Sequence, residues 1–134
     1  MSGNESKKVG RVKLLLVDDE EAYVSILSKR LAKRNFAVTT ALSGTQGIQA
    51  LRKDEFDVAV LDLKMQDMDG IEVLKIFKKM DPQMAVIMLT GHGSEQAARE
   101  GIQFGAFDYL TKPCELEDLV EKIIQATHAT RTAS

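Results

Sequence analysis

The chain has 134 residues, 18 of them basic and 20 acidic, and a formal net charge of −2. This length suffices for one domain with its own hydrophobic core. The charge balance argues against the basic surface of a typical nucleic-acid-binding domain. No apolar run approaches the length of a membrane span, no signal-peptide pattern precedes the first apolar run, and the single cysteine, Cys114, lacks an internal disulfide partner. We therefore expect a cytoplasmic domain without membrane or direct nucleic-acid contacts.

Short apolar runs alternate with amphipathic stretches along the chain. Residues 1–10 are polar and without periodicity, so we expect a mobile tail there, a domain over 11–128 and a polar C-terminal tail over 129–134. Each apolar run predicts a strand, and the runs lie at about 12–17, 36–41, 57–62, 84–89 and 107–110. A stretch with helical spacing follows each run. This strict alternation, with short loops, predicts an α/β fold with a five-stranded parallel sheet and helices on both faces.

The predicted helices differ in how much apolar area they can bury. Helical spacing in the first and last helices predicts that Ile26 and Ile124 face the core. The fourth helix, over residues 94–104, offers mostly small side chains. Glycine inside a helix costs about 1 kcal/mol relative to alanine, and small residues bury little area. We expect this helix to be the least firmly held, with an inner stripe of Ala97, Ala98, Gly101 and Ile102.

Polar side chains stand where four of the five predicted strands end. The first strand ends on Asp18 and Asp19, the third on Asp62, the fourth on Thr90 and the fifth on Lys112. Asp62 alone could simply begin a turn or cap a helix. Parallel strands, however, bring their carboxyl ends to one edge of the sheet, where ligands bind in open α/β folds. We therefore expect all five side chains to converge on one crevice.

The residue types in this crevice favour phosphoryl chemistry. Three neighbouring carboxylates repel one another and call for a cation, and an all-oxygen site open to water suits Mg²⁺. The Lys112 ammonium and the Thr90 hydroxyl supply donors for phosphoryl oxygens. These groups together support in-line phosphoryl transfer to Asp62. The neighbouring Glu20 and Glu21 are explained by the positive end of the first helix.

The segments that carry these residues resemble the receiver domain of two-component response regulators. They are LVDDE at 16–20, VLDLKM at 60–65, MDG at 68–70, LTG at 89–91 and GAFDYLTKP at 105–113. The similarity extends from about residue 12 to residue 126. It implies a flavodoxin-like (βα)5 three-layer sandwich with strand order 2-1-3-4-5.

The resemblance also implies a role for each site residue. Asp62 is expected to be the phosphoacceptor, receiving phosphate from a sensor histidine kinase or a histidine phosphotransfer protein. Asp18, Asp19, Asp62 and the backbone carbonyl of Lys64 are expected to bind Mg²⁺. Lys112 is expected to contact the phosphoryl group and to precede a cis peptide bond to Pro113.

A switch is implied as well. Thr90 is expected to close onto the phosphoryl group, and Tyr109 then turns inward into the vacated space. This would change the face built by the fourth helix, fifth strand and fifth helix, which would contact an effector domain or protein or a second copy of the chain. The resemblance thus implies a signalling domain that assists its own phosphorylation and dephosphorylation, and not an enzyme.

Two features depart from the simplest form of this pattern. Gln66 stands where the family usually has proline, and Lys64 and His92 flank the site. Three other classes of protein fit this sequence less well. A nucleotide-binding domain needs a glycine-rich turn after the first strand, where this chain has acidic residues. A small-molecule aspartyl phosphatase has a second Asp where Lys64 stands. A degenerate receiver, acting only as a protein-binding module, would have lost site residues that are present here.

Overall fold

The computed structural model describes residues 10–133, with side chains up to residue 129. Residues 1–9, which make up most of the predicted N-terminal tail, lie outside this range. The strands are β1 (Lys13–Val17), β2 (Ala37–Ala41), β3 (Val58–Asp62), β4 (Ala85–Thr90) and β5 (Asp108–Thr111). The helices are α1 (Glu21–Lys33), α2 (Gly44–Lys53), α3 (Gly70–Met80), α4 (Glu95–Gln103) and α5 (Leu116–Ala133). The last helix therefore includes most of the segment predicted as a polar tail.

The sheet has the strand order β2-β1-β3-β4-β5, and all pairings are parallel. This confirms the predicted fold class and order. All five residues of the central strand β3 are buried, whereas β2 lies at an edge of the sheet and has Thr39 and Thr40 exposed. The chain order reverses between β1 and β3. In folds of this kind a crevice opens at that point, beyond the carboxyl ends of the strands.

Two hydrophobic cores fill the spaces on either side of the sheet. Alternate residues of each strand point to opposite faces, so Leu14 and Leu16 belong to one core, and Leu15 and Val17 to the other. Helices α1 and α5 cover the first core, whereas α2, α3 and α4 cover the second. The central strands are thereby buried on both faces, which explains their continuous apolar runs.

Helix α4 buries little. Its buried residues are Ala98 and Gly101, while Ile102 is 41% exposed, so the prediction that Ile102 faces the core is wrong. Gly101 packs so close to β4 that an added Cβ would lie 2.5 Å from the sulfur of Met88. The small residues therefore bring α4 near the sheet and leave no room there for a large side chain.

Ile26 and Ile124 are also mispredicted. They are 56% and 54% exposed, while Val24 on α1 and Ala126 on α5 take buried positions instead. The spacing rule identifies a stripe on a helix but not its edges. Which side of the stripe is covered depends on the angle at which α1 and α5 pack against the sheet.

Close backbone approach fixes the entry to α3. The Asp69 carboxylate accepts a hydrogen bond from the Ile71 amide and caps the helix. An added Cβ on Gly70 would lie 2.5 Å from the Cα of Leu63 and 2.7 Å from its carbonyl oxygen. Glycine is thus needed here for space, and the contact holds the loop after β3 against the strand.

Within residues 10–133, no helix combines the length and apolar character needed to cross a membrane.

Candidate functional site

Three polar residues at the strand ends are buried where the chain order reverses. Asp18, directly after β1, is fully buried, Asp62 at the end of β3 is 6% exposed, and Thr90 at the end of β4 is fully buried. The register explains their proximity, because Val17 pairs with Leu61 and Asp62 pairs with Leu89. The predicted convergence of these strand ends is therefore present in the structure.

Lys112 extends into this crevice from the loop after β5. Its ammonium nitrogen lies 2.8 Å from Asp18 Oδ2 and 2.9 Å from Glu20 Oε1, both as hydrogen bonds, and 3.8 Å from Asp62 Oδ2. The backbone amide of Lys112 donates to the carbonyl of Thr90 at 2.7 Å, and the following bond to Pro113 is cis, as predicted. The positive charge of Lys112 therefore partly offsets the negative charges of the three carboxylates, Asp18, Glu20 and Asp62.

The environment of Asp62 disfavours its charge. Burial, together with the neighbouring Asp18 carboxylate, raises the pKa of Asp62 from 3.8 to about 6. Lys112 and the amide of Lys64, which donates to Asp62 Oδ1 at 3.4 Å, act in the opposite direction but do not cancel the effect. Asp62 is thus a carboxylate held at an energetic cost that a nearby positive charge would relieve.

The ammonium of Lys112 is held in its charged form. Burial opposes the charge, but hydrogen bonds to Asp18 and Glu20 outweigh it and raise the pKa of Lys112 above its ordinary value. The same nitrogen lies 4.4 Å from the centre of the Tyr23 ring, a cation–π distance. Burial is also the main reason why the pKa of Tyr23 rises to about 12. Lys112 is therefore a fixed positive charge at the mouth of the crevice.

The loop after β3 is tied to two neighbouring elements. The backbone amide of Gln66 donates a hydrogen bond to Asp19 Oδ2 at 3.0 Å. The Asp67 carboxylate accepts hydrogen bonds from the amides of Gly44 and Thr45 at the start of α2. Proline has no amide hydrogen, so the contact with Asp19 depends on the departure from the family pattern at position 66. This loop also carries the backbone carbonyl of Lys64.

The sequence did not predict that the side chain of Glu20 lies in the crevice beside Lys112. The carboxylates of Asp18, Glu20 and Asp62 offer oxygen atoms within 4.8 Å of one another, a grouping that could hold a metal ion. Asp19 was expected in this group but makes the contact with the Gln66 amide instead. Glu20 occupies the N-cap position of α1, yet its side chain makes no capping hydrogen bond. The positive end of the α1 dipole explains why an acidic residue is favourable at position 20, but it does not determine where the side chain points.

The two expected switch residues lie on adjacent strands. The Thr90 hydroxyl donates to the carbonyl of Gly91 at 3.3 Å, and Tyr109 is partly buried against the core under α2, α3 and α4. His92 is exposed in the loop beyond β4. Cys114 is partly buried, and burial raises the pKa of its thiol, which suits a packing role.

The parallel five-stranded sheet and the acidic crevice at its strand ends are those of a receiver-type α/β domain. The sequence profile of the response regulator receiver domain matches residues 14–124. The chain belongs to this family, and it is a receiver domain of a two-component response regulator.

Relatives and solved structures agree with this assignment. The chain is 37% identical over 121 residues to the transcriptional regulatory protein GlrR of Escherichia coli K12 and 35% identical over 121 residues to ZraR of the same organism. These matches cover 90% and 88% of this chain but 27% of each relative, so the chain spans about a quarter of their length. A receiver domain from Clostridium thermocellum superposes with a TM-score of 0.88 at 34% identity, covering 92% of this chain and 99% of that one. The chain spans 28% of NtrX from Brucella abortus, with a TM-score of 0.87 and 26% identity.

Proposed function

We propose that Asp62 accepts a phosphoryl group from a sensor histidine kinase or a histidine phosphotransfer protein. One observation carries this assignment. A nearly buried carboxylate at the end of the central strand lies 3.8 Å from the Lys112 ammonium. The carboxyl group of Asp62 has a raised pKa and lies at the end of β3. Perturbed groups of this kind are characteristic of functional sites.

The proposed reaction is a transfer from nitrogen to oxygen. An Asp62 carboxylate oxygen attacks the phosphorus of a phosphohistidine, the P–O bond forms, the P–N bond breaks, and the imidazole leaves with its electron pair. With a pKa of about 6, Asp62 is mostly ionised at neutral pH and can act as the nucleophile. Lys112 carries the positive charge that would offset the negative charge of the transferred group.

We propose Mg²⁺ as the ion of this site. The oxygen-only donor set of the acidic cluster fits a hard cation, and a bound Mg²⁺ would neutralise charge on the phosphoryl oxygens. Asp18, Asp19, Asp62 and the backbone carbonyl of Lys64 are the proposed ligands. Asp19 accepts the Gln66 backbone amide through Oδ2, so it would bind the ion through its other oxygen, Oδ1. The charge of the ion would offset the burial and the Asp18 repulsion that now raise the pKa of Asp62.

The proposed output is a change in the surface formed by α4, β5 and α5. Thr90 would move its hydroxyl towards the phosphoryl group, and Tyr109 would follow. Helix α4 buries only Ala98 and Gly101 and is the element best suited to shift. We propose that this surface contacts an effector domain, an effector protein or a second copy of the chain. The domain would act in the cytoplasm as a signalling module and would not turn over a separate substrate.

A labelling experiment tests the phosphoacceptor role. The purified protein is incubated with radiolabelled acetyl phosphate, with Mg²⁺ or with EDTA, alongside Asp62→Asn and Asp18→Asn. We expect hydroxylamine-sensitive label on the unmutated protein with Mg²⁺, none on Asp62→Asn, and a large decrease for Asp18→Asn. Label retained on Asp62→Asn would contradict the assignment. Label that does not depend on Mg²⁺ would contradict the metal site.

A further inference from the structure

Glu20 makes an unusual contact for a residue at a helix start. It occupies the N-cap position of α1, where Ser, Thr, Asp or Asn normally accept a hydrogen bond from the first turn. The Glu20 side chain makes no such bond. Its Oε1 accepts a hydrogen bond from Lys112, 92 residues away, at 2.9 Å. The helix therefore does not account for the position of this side chain.

The three carboxylates around Lys112 differ in their distance from its ammonium nitrogen and in their exposure to water. Asp18 is fully buried, and its other oxygen accepts the Glu20 amide at 2.9 Å, so it is fixed on both sides. Asp62 is nearly buried but lies at 3.8 Å, beyond hydrogen-bond distance. The side chain of Glu20 is 64% exposed, so its bond to Lys112 is screened by water and is the easiest to break.

From this geometry we propose that Glu20 is a positioning residue that holds the Lys112 ammonium away from Asp62 in the resting protein and releases it when Asp62 is phosphorylated. The inference rests on the proposed phosphoacceptor function. It adds a competition: Lys112 must exchange the Glu20 carboxylate for a phosphoryl oxygen, while its bond to Asp18 can remain. Glu20 thereby slows the formation of the phosphorylated state.

The size of the effect follows from the exposure of Glu20. Ion pairs in which one partner is exposed contribute little, and loss of such a pair corresponds to a change of about two- to fivefold in an equilibrium or a rate. We therefore expect Glu20→Gln to be phosphorylated about two- to fivefold faster by phosphoramidate with saturating Mg²⁺. Glu21→Gln is the matched control, because Glu21 is exposed at the next position and no contact of its side chain with the site is seen in the described residues.

Glu20→Asp separates position from charge. Aspartate keeps the negative charge but is one methylene shorter, which places its carboxylate farther from the Lys112 nitrogen on the same backbone. It is also a favoured N-cap residue, so its side chain is drawn towards the first turn of the helix. If Glu20 acts by holding Lys112, both Glu20→Asp and Glu20→Gln are faster than the unmutated protein. If only its charge matters, Glu20→Asp keeps the original rate, and that result would overturn the proposal. Unchanged or slower rates in both variants would also overturn it.

A second readout needs no phosphorylation. The ammonium of Lys112 can be followed by ¹⁵N NMR of the metal-free protein, where hydrogen bonds to Asp18 and Glu20 slow its exchange with water. We expect a shifted and faster-exchanging signal in both Glu20 variants and an unchanged signal in Glu21→Gln. An unchanged signal in all variants would show that Glu20 does not hold Lys112. Absence of any phosphorylation of the unmutated protein would contradict the proposed function separately, since this NMR test stands without it.

Discussion

Replacement of the buried Asp62 carboxylate should stabilise the metal-free protein. Its pKa is raised from 3.8 to about 6, a difference of about two units, and each unit corresponds to 1.36 kcal/mol. The charged form of Asp62 therefore costs the folded state up to about 3 kcal/mol above about pH 6. In Asp62→Asn this cost is absent, while Lys112 keeps its hydrogen bonds to Asp18 and Glu20.

The sign of the pH dependence is fixed by the direction of the shift. Because the pKa of Asp62 is higher in the folded state than in the unfolded state, its cost is full above about pH 6 and disappears as the pH falls below 4. We thus expect Asp62→Asn to be more stable than the unmutated protein by up to about 3 kcal/mol at pH 7.5 in EDTA. The difference should shrink towards zero near pH 4.

Urea denaturation followed by circular dichroism measures this difference. Both proteins and the surface control Glu121→Gln are unfolded at pH 7.5 and pH 4, each with EDTA. Addition of Mg²⁺ at pH 7.5 should stabilise the unmutated protein and should stabilise Asp62→Asn much less, because one ligand is missing. Equal stability of Asp62→Asn and the unmutated protein at pH 7.5 would refute the reasoning. So would a difference that grows as the pH falls.

Three further predictions concern the surroundings of the site. Thr90→Ala should still accept phosphate but should show a much smaller change in amide exchange over residues 90–112 on addition of beryllofluoride; equal changes in both proteins would rule out Thr90 as the coupling residue. Gly70→Ala should lower the free energy of unfolding by about 1–3 kcal/mol because its Cβ would meet the Leu63 backbone, whereas Gly91→Ala, with nothing within 4 Å, should lower it far less in the same urea experiment. Asp67→Asn should lower it by about 1 kcal/mol through weaker hydrogen bonds to α2, and no change in thermal melts would contradict this.

Sequence patterns sufficed for the sheet because the local and global signals agree. The run from Val58 to Leu61 is apolar without alternation, and such a run indicates a strand buried on both faces. The strand ends then place Asp18, Asp62 and Thr90 together without further information. The strand order came from the resemblance to receiver domains, since alternation of strands and helices allows several parallel orders.

What the sequence could not supply are side-chain directions. Asp19 and Glu20 are adjacent acidic residues, and only the backbone at the start of α1 decides which of them reaches Lys112. The exposure of Ile102 has a similar origin, because the close approach of Gly101 to Met88 sets how α4 lies on the sheet. Such packing depends on contacts between elements distant in the chain, which a local pattern does not contain.

Direct identification of the phosphorylated residue tests the central claim most sharply. After incubation with acetyl phosphate, borohydride converts an aspartyl phosphate to homoserine, and peptide mass spectrometry locates the change. We predict conversion at Asp62 alone, in the presence of Mg²⁺ and not in EDTA. Conversion at Asp18, Asp19 or another carboxylate, or none at Asp62 in a protein that has taken up phosphate, would contradict the account.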